Sequence, residues 1–269
     1  MKRINNIYEN ITDLNIIMDM YENIVSKNTK NKSKIELFDR LYSINIIKIK
    51  DILKSKNYIP SKYNIFLIKE PKARIIMSQS IEDKIINHLV AKYFLIDIFN
   101  NSLILENCAT RIGMGTHYAL NLFKNNYNKY KNKYNKFYIL KFDINKYFYN
   151  IDHNIVKDII KRKIKDKSVL KIIYSIIDST DYDYVNDRIN ELKINEINRI
   201  NNLNISDIEK NKKINEINNL PLYRKGKGLP IGNMSSQIIA TFYLNELDHY
   251  IKDILNIDCY TRYMDGATV

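Results

Sequence analysis

Tryptophan is absent from this chain of 269 residues, and cysteine, proline and glycine are scarce, at 2, 4 and 6 residues. Two cysteines, Cys108 and Cys259, cannot staple a disulfide scaffold and lack metal-ligand spacing. They read as core thiols in a reducing compartment. So little glycine and proline excludes collagen-like and Pro/Gly-rich chains. No apolar run is long enough to span a bilayer, and nothing resembles a signal peptide. The expectation is a soluble, cytoplasmic chain with no membrane partner. Gly113 and Gly115 are not followed by Gly-Lys-Ser/Thr, which excludes a P-loop.

What is present is a core and a surplus of positive charge. Hydrophobic residues make up 45% of the chain and the net charge is +13. A basic chain suits a polyanion, most often nucleic acid. The abundance of Lys, Asn, Ile and Tyr, all with A/T-rich codons, is an alternative origin of that charge.

Taken in order, residues 1–57 read as an N-terminal helical extension, with Leu14, Ile17, Met18, Tyr21, Ile24, Val25 and then Leu37, Leu41, Ile44, Ile47 at helical spacing. Tyr63–Lys69 and Ile75–Met77 read as strands of a hairpin with basic residues at its tip. A helix follows from Ser80, with Asp83 completing a cap and His88 packed beside its apolar stripe. Another helix begins near Thr116, and the stretch from Lys124 to Lys136 interleaves basic and aromatic residues. Phe137 to Phe142 reads as a mostly buried strand. Asp143 stands where it emerges, and Asp152 caps the helix after it. Between Asp178 and Gly226 the composition collapses to Asn, Ile, Lys, Glu and Asp, and Lys193-Ile194-Asn195-Glu196-Ile197-Asn198 recurs as Lys213-Ile214-Asn215-Glu216-Ile217-Asn218. Two copies are too few for a solenoid, so this reads as a low-complexity, partly helical, mobile insertion. A helix then opens near Ser235 or Ser236, either of which can cap it. Asp265-Gly266 between apolar flanks reads as a two-residue hairpin turn.

Three stretches carry a resemblance. Phe142-Asp143-Ile144 with Tyr147-Phe148 and Ile151-Asp152-His153, then Gly228-Leu229-Pro230-Ile231-Gly232-Asn233 with Ser236-Gln237, then Tyr260-Thr261-Arg262-Tyr263-Met264-Asp265 follow one another in this order. Together they resemble motifs A, B and C of the bacterial reverse transcriptases. The fold this implies is α+β: right-hand polymerase fingers and an incomplete palm, an antiparallel sheet packed on helices, with the thumb missing. The implied division is 58–136 fingers, 137–182 first part of the palm, 183–225 insertion and 226–269 second part of the palm, truncated.

By that resemblance Asp143 and Asp265 are catalytic and, with Ile144, would hold two Mg²⁺ (or Mn²⁺) ions. Lys69, Arg74, Phe148, Gly232 and Gln237 would meet the incoming dNTP, with Phe148 as the ring that rejects a ribose 2′-OH. Arg111 and Asn233 would meet nucleic acid, the partners being an RNA template and a DNA or RNA primer. Each has a plainer alternative: a solvated basic turn for Lys69 and Arg74, a structural role for Arg111, and a core ring for Phe148, with Tyr147 and Tyr149 one register away. The family carries two adjacent aspartates in motif C, and here the second is Gly266. The implied activity is RNA-directed DNA polymerisation, impaired by the missing carboxylate and thumb. The rival is an inactive palm-fold nucleic-acid-binding protein or a non-functional fragment.

Overall fold

The computed structural model describes residues 3–269, so the first two residues of the N-terminal extension lie outside the described residues. The chain is a mixed helical and sheet structure of the α+β class, in which helices dominate. Its sheets are a hairpin of β1 (Asn64–Ile68) and β2 (Arg74–Ser78), and a three-stranded antiparallel sheet of β3 (Lys141–Asp143), β4 (Thr261–Tyr263) and β5 (Gly266–Thr268) in the order β3-β5-β4.

The N-terminal helices start at Asp13, whose carboxylate accepts from the amides of Asn15 and Ile16. Ile17, Tyr21 and Val25 face inward as expected. The second stripe does not. Leu37, Leu41, Ile44 and Ile47 are exposed, and the buried face of this region is Phe38, Ile46, Ile49 and Leu53. The helix Tyr42–Ser55 is apolar on two sides, so periodicity alone admits two inward faces, and packing selects one.

The middle of the main core is a long helix that begins at Ile81 under a Ser80 cap and runs through 100. It packs against the helix Met234–Tyr243, where the rings of Phe99 and Phe242 stack at 3.9 Å. The expected cap of that second helix is corrected. Ser235 and Ser236 are buried and neither caps. Asn87 of the long helix instead accepts from the Ser235 amide at 3.0 Å. One helix thus caps another and fixes where the segment 228–237 lies.

The strand expected over 137–142 is short, and its approach is not buried. The strand proper covers Lys141–Asp143, with Leu140 adding a reciprocal backbone pair to Val269 at 3.0 and 2.9 Å, and Tyr138, Ile139 and Leu140 are exposed. β3 is an edge strand with β5 as its one neighbour, so its flank stays open.

The low-complexity stretch is ordered by packing. It forms the helices Asp183–Asn201 and Asp207–Asn218. Val185, Ile189, Ile200 and Ile217 share a core with Tyr63, Ile65, Ile75 and Met77 of the β1–β2 hairpin. Isoleucine alternates with polar residues often enough to line one face of each helix, and that face finds a partner in the hairpin.

Candidate functional site

Antiparallel register brings the first and third motifs together. Asp143 at the end of β3 pairs with Gly266 at the start of β5, and the Ile144 amide donates to the Asp265 carbonyl at 3.3 Å. The turn of the hairpin lies one residue earlier than expected. It is made by Met264 and Asp265, with Tyr263 paired to Gly266. Met264 takes the positive φ, 58°, and Gly266 is ordinary strand. Asp265 therefore stands at the tip. Burial raises the proton affinity of its carboxyl, and the negative charge of Asp143 raises it further. A backbone hydrogen bond, Arg262 and Arg74 act the other way. Asp143 itself is exposed. The charge of Asp143 impedes the ionisation of Asp265, so the two carboxylates form an anionic notch that a cation would relieve. A side chain on Gly266 would enter this notch, because its Cβ would lie 3.4 Å from Asp143 Oδ1 in ordinary contact.

The tip is anchored from beneath by residues that sequence reasoning missed. Arg262, 1% exposed, donates from Nε to Asp248 Oδ1 and from Nη2 to Asp248 Oδ2, both at 2.6 Å. Its remaining donors reach the carbonyls of Met264 at 2.6 Å and Thr241 at 2.8 Å. Tyr260 donates to Asp248 Oδ1 at 2.8 Å. A bidentate arginine with its donors used is the geometry in which a buried ion pair is tolerated. The signal available in the sequence was an arginine inside an apolar strand and an aspartate on an otherwise apolar helix face. The same strand is flanked by residues 106–108. Arg262 exchanges backbone bonds with Glu106 and Cys108, and burial pushes the Cys108 thiol up to about 11.

Arg74, the first residue of β2, carries a positive charge that favours the ionised form of Asp265, the smallest of the influences on that carboxyl. Lys69 is engaged elsewhere. Its ammonium lies 2.8 Å from Glu196 of the helix Asp183–Asn201. Of the three consecutive aromatics, Tyr147 is buried and donates to the Ala240 carbonyl at 2.6 Å, and Tyr149 packs on Tyr223 with centroids 4.6 Å apart. Phe148 is half-buried, packed against the edge of the main core with its ring edge-on to Tyr147, centroids 5.9 Å apart. Its carbonyl accepts from the Leu229 amide at 2.8 Å, which ties the first motif to the second.

Around residue 231 the chain lies along β2. Met77 donates to the Ile231 carbonyl at 2.8 Å. Gly232 has φ +123°, and a Cβ there would sit 3.1 Å from the Met77 carbonyl oxygen, so both conformation and space require glycine. Gln237 is half-buried on the first turn of the helix. Two sequence candidates have their polar groups engaged within the fold. Asn233 is 1% exposed and donates to the Tyr63 hydroxyl at 3.1 Å, so it locks the hairpin to the helix start. Arg111 donates to the carbonyls of Ile104 at 2.6 Å and Asn107 at 3.0 Å, the structural alternative for that residue.

His153 belongs to the same scaffold. Its Nε2 lies 2.7 Å from the Gly228 carbonyl, which can only accept, so Nε2 carries a proton. Its Nδ1 lies 3.2 Å from Asp178 and 3.4 Å from Asp181. Burial alone would lower the pKa of this imidazole. The bond to Asp178, the Gly228 carbonyl and the charge of Asp181 outweigh burial and raise it. His153, Asp178 and Asp181 offer ligand atoms within 4.8 Å of one another, a group that could hold a metal ion. Lys157 already lies 2.5 and 2.7 Å from the two oxygens of Asp178, so the acids have a cation and an imidazole to balance them. Among the described residues, no helix is long and apolar enough to cross a membrane. No protein-family model matches the chain, and no curated protein matches it in sequence.

Proposed function

We propose that this chain is a nucleotidyltransferase palm of reverse-transcriptase type, in which Asp143 and Asp265 hold the metal that serves RNA-directed DNA synthesis from dNTPs. The observation that carries the reading is the convergence of three sequence stretches on one notch. Asp143 pairs with Gly266 beside Asp265, Ile144 donates to the Asp265 carbonyl, the charge of Arg74 acts on Asp265, and the segment 228–237 braces both the hairpin and the first motif.

The two carboxylates fit a divalent cation by chemistry. They are hard anionic oxygens, one at a rigid strand end and one at a buttressed turn, and they repel each other. When bound, Mg²⁺ or Mn²⁺ would activate a primer 3′-hydroxyl and neutralise charge on a triphosphate. The protein's own part is positional. Arg262 holds the Met264 carbonyl and so the turn that presents Asp265. Arg74 offers a planar donor pair to phosphate. Phe148, packed on the core at one side and against Tyr147 yet only half-buried, keeps ring surface that would lie beneath a sugar.

The test is Mn²⁺ titration of the wild type and Asp143→Asn, with primer extension on a primed RNA template. We expect Mn²⁺ binding that Asp143→Asn abolishes, and weak or no extension, since Gly266 supplies no third carboxylate. Mn²⁺ binding indifferent to Asp143→Asn would sink the assignment of the metal site. Vigorous extension would refute the impairment.

A second reading is supported by Gly266 itself. A palm that keeps two carboxylates and lacks the adjacent one could serve as a scaffold for binding nucleic acid without synthesis. RNA binding that persists unchanged in Asp143→Asn, with no extension in either protein, favours it.

A further inference from the structure

The two copies of Lys-Ile-Asn-Glu-Ile-Asn use the same position for the same purpose. Glu196, the glutamate of the first copy, meets the Lys69 ammonium at 2.8 Å. Glu216, the glutamate of the second, accepts from the Ala73 amide at 2.8 Å. Lys69 and Ala73 stand on either side of the tip of the β1–β2 hairpin. The insertion therefore grips the tip on both sides, each helix contributing one carboxylate.

The first grip is the stronger. Glu196 has a side chain only 9% exposed, and Arg199 donates to it from Nε at 3.0 and 3.1 Å and from Nη2 at 2.7 Å. The carboxylate thus sits between an ammonium and a guanidinium, the setting a phosphate oxygen would choose. Lys69 and Arg199 remain about half exposed, so an anion can reach both from solvent. The base of the insertion is tied to the second motif. Asn186 and Tyr223 exchange two hydrogen bonds at 2.8 and 2.9 Å, and a Cβ on Gly228 would meet the Tyr223 ring at 2.5 Å.

We infer that the insertion is a carboxylate clasp on a polyphosphate site: Glu196 occupies the anion position between Lys69 and Arg199, and the triphosphate of an incoming nucleotide must displace it. The inference rests on the proposed nucleotidyltransferase reading and adds two things to it. Arg199 becomes a phosphate contact, and the segment of lowest sequence complexity becomes the regulator of entry. Exchange of one anion for another leaves the charge on both half-exposed cations matched, so the clasp can open without leaving either cation unpaired.

The experiment is calorimetric titration of the full chain with inorganic tripolyphosphate, free of metal. Glu196→Gln should tighten binding roughly fivefold, the upper end of what a half-exposed ion pair is worth. Adding Lys69→Gln should remove the gain. Glu196→Asp, which keeps the charge and shortens the reach, should fall between wild type and Glu196→Gln and guards against a folding defect in the latter. Glu191→Gln is the control, because it deletes the same charge from the same helix at a residue paired with Arg188. A gain in Glu191→Gln equal to that in Glu196→Gln, a gain that survives Lys69→Gln, or no tripolyphosphate binding by any form overturns the clasp. Mn²⁺ titration of Glu196→Gln separates the two ideas. An intact Asp143-dependent site with no tripolyphosphate effect removes the clasp alone. A tripolyphosphate effect without that metal site leaves an anion clasp and removes the polymerase reading.

Discussion

Arg262 and Asp248 form a two-pronged ion pair, 2.6 Å at each prong, beneath the turn that carries Asp265. Both side chains are shut off from solvent. Removing one partner strands the other charge in the core. Asp248→Asn should therefore destabilise the fold by about 3–5 kcal/mol. Urea unfolding measures this, and a loss below about 1 kcal/mol would mean that water reaches the arginine.

Asp265 supplies a second measurable quantity. Its carboxyl binds protons more tightly than usual through burial and then through Asp143. Asp143→Asn removes the like charge and should bring the pKa of Asp265 down toward the ordinary carboxylate range. Carbon-detected NMR titration follows it directly. An unchanged titration would show that the two carboxylates do not feel each other.

Gly266 lies in extended backbone, and a Cβ there makes ordinary contact with Asp143. Gly266→Asp should fold. It places a third negative charge beside two others, so metal-free stability should fall by about 1 kcal/mol, while Mn²⁺ affinity should rise about tenfold with the added carboxylate. Thermal unfolding with and without Mn²⁺ reads both effects, and the sign of the metal effect is decisive.

His153 makes stability depend on pH. Its folded-state pKa is raised above the ordinary value of about 6.5, so the folded state holds the proton more tightly. That contribution is fully present below about pH 6.5 and is lost as pH rises through the folded pKa. His153→Gln should thus cost most at mildly acidic pH and progressively less toward pH 8, in a setting where Asp178, Asp181 and Lys157 face or adjoin the imidazole. His249 is raised too, but it is present in both proteins and cancels in the difference. Denaturant unfolding at several pH values supplies the comparison, and a parallel offset at every pH would contradict it.

Gly228 adopts φ +94°, and its position abuts the ring of Tyr223. Gly228→Ala combines backbone strain with a clash, and should cost about 2 kcal/mol or more. Pairing it with Tyr223→Leu should recover the part due to the clash but not the part due to φ.

Local chemistry was readable in the sequence wherever a short stretch suffices. The caps at Ser80 and Asp152, the β1–β2 hairpin and the helix from Thr116 follow from neighbouring residues. So did the mixed helical and sheet class. Contacts between distant residues were not. The helix Tyr42–Ser55 is apolar on two faces, and only its packing partners chose one. Asn87 caps a helix 148 residues away, a relationship no local pattern encodes. Arg262 in an apolar strand and Asp248 on an apolar helix face each read as an anomaly alone, and make sense only as a pair. The repeated glutamates show the division most plainly. The sequence determined that Glu196 and Glu216 occupy equal places in two copies of one hexapeptide. Tertiary structure decided that the copies lie on two helices against one hairpin, because Ile189, Ile200 and Ile217 are buried there.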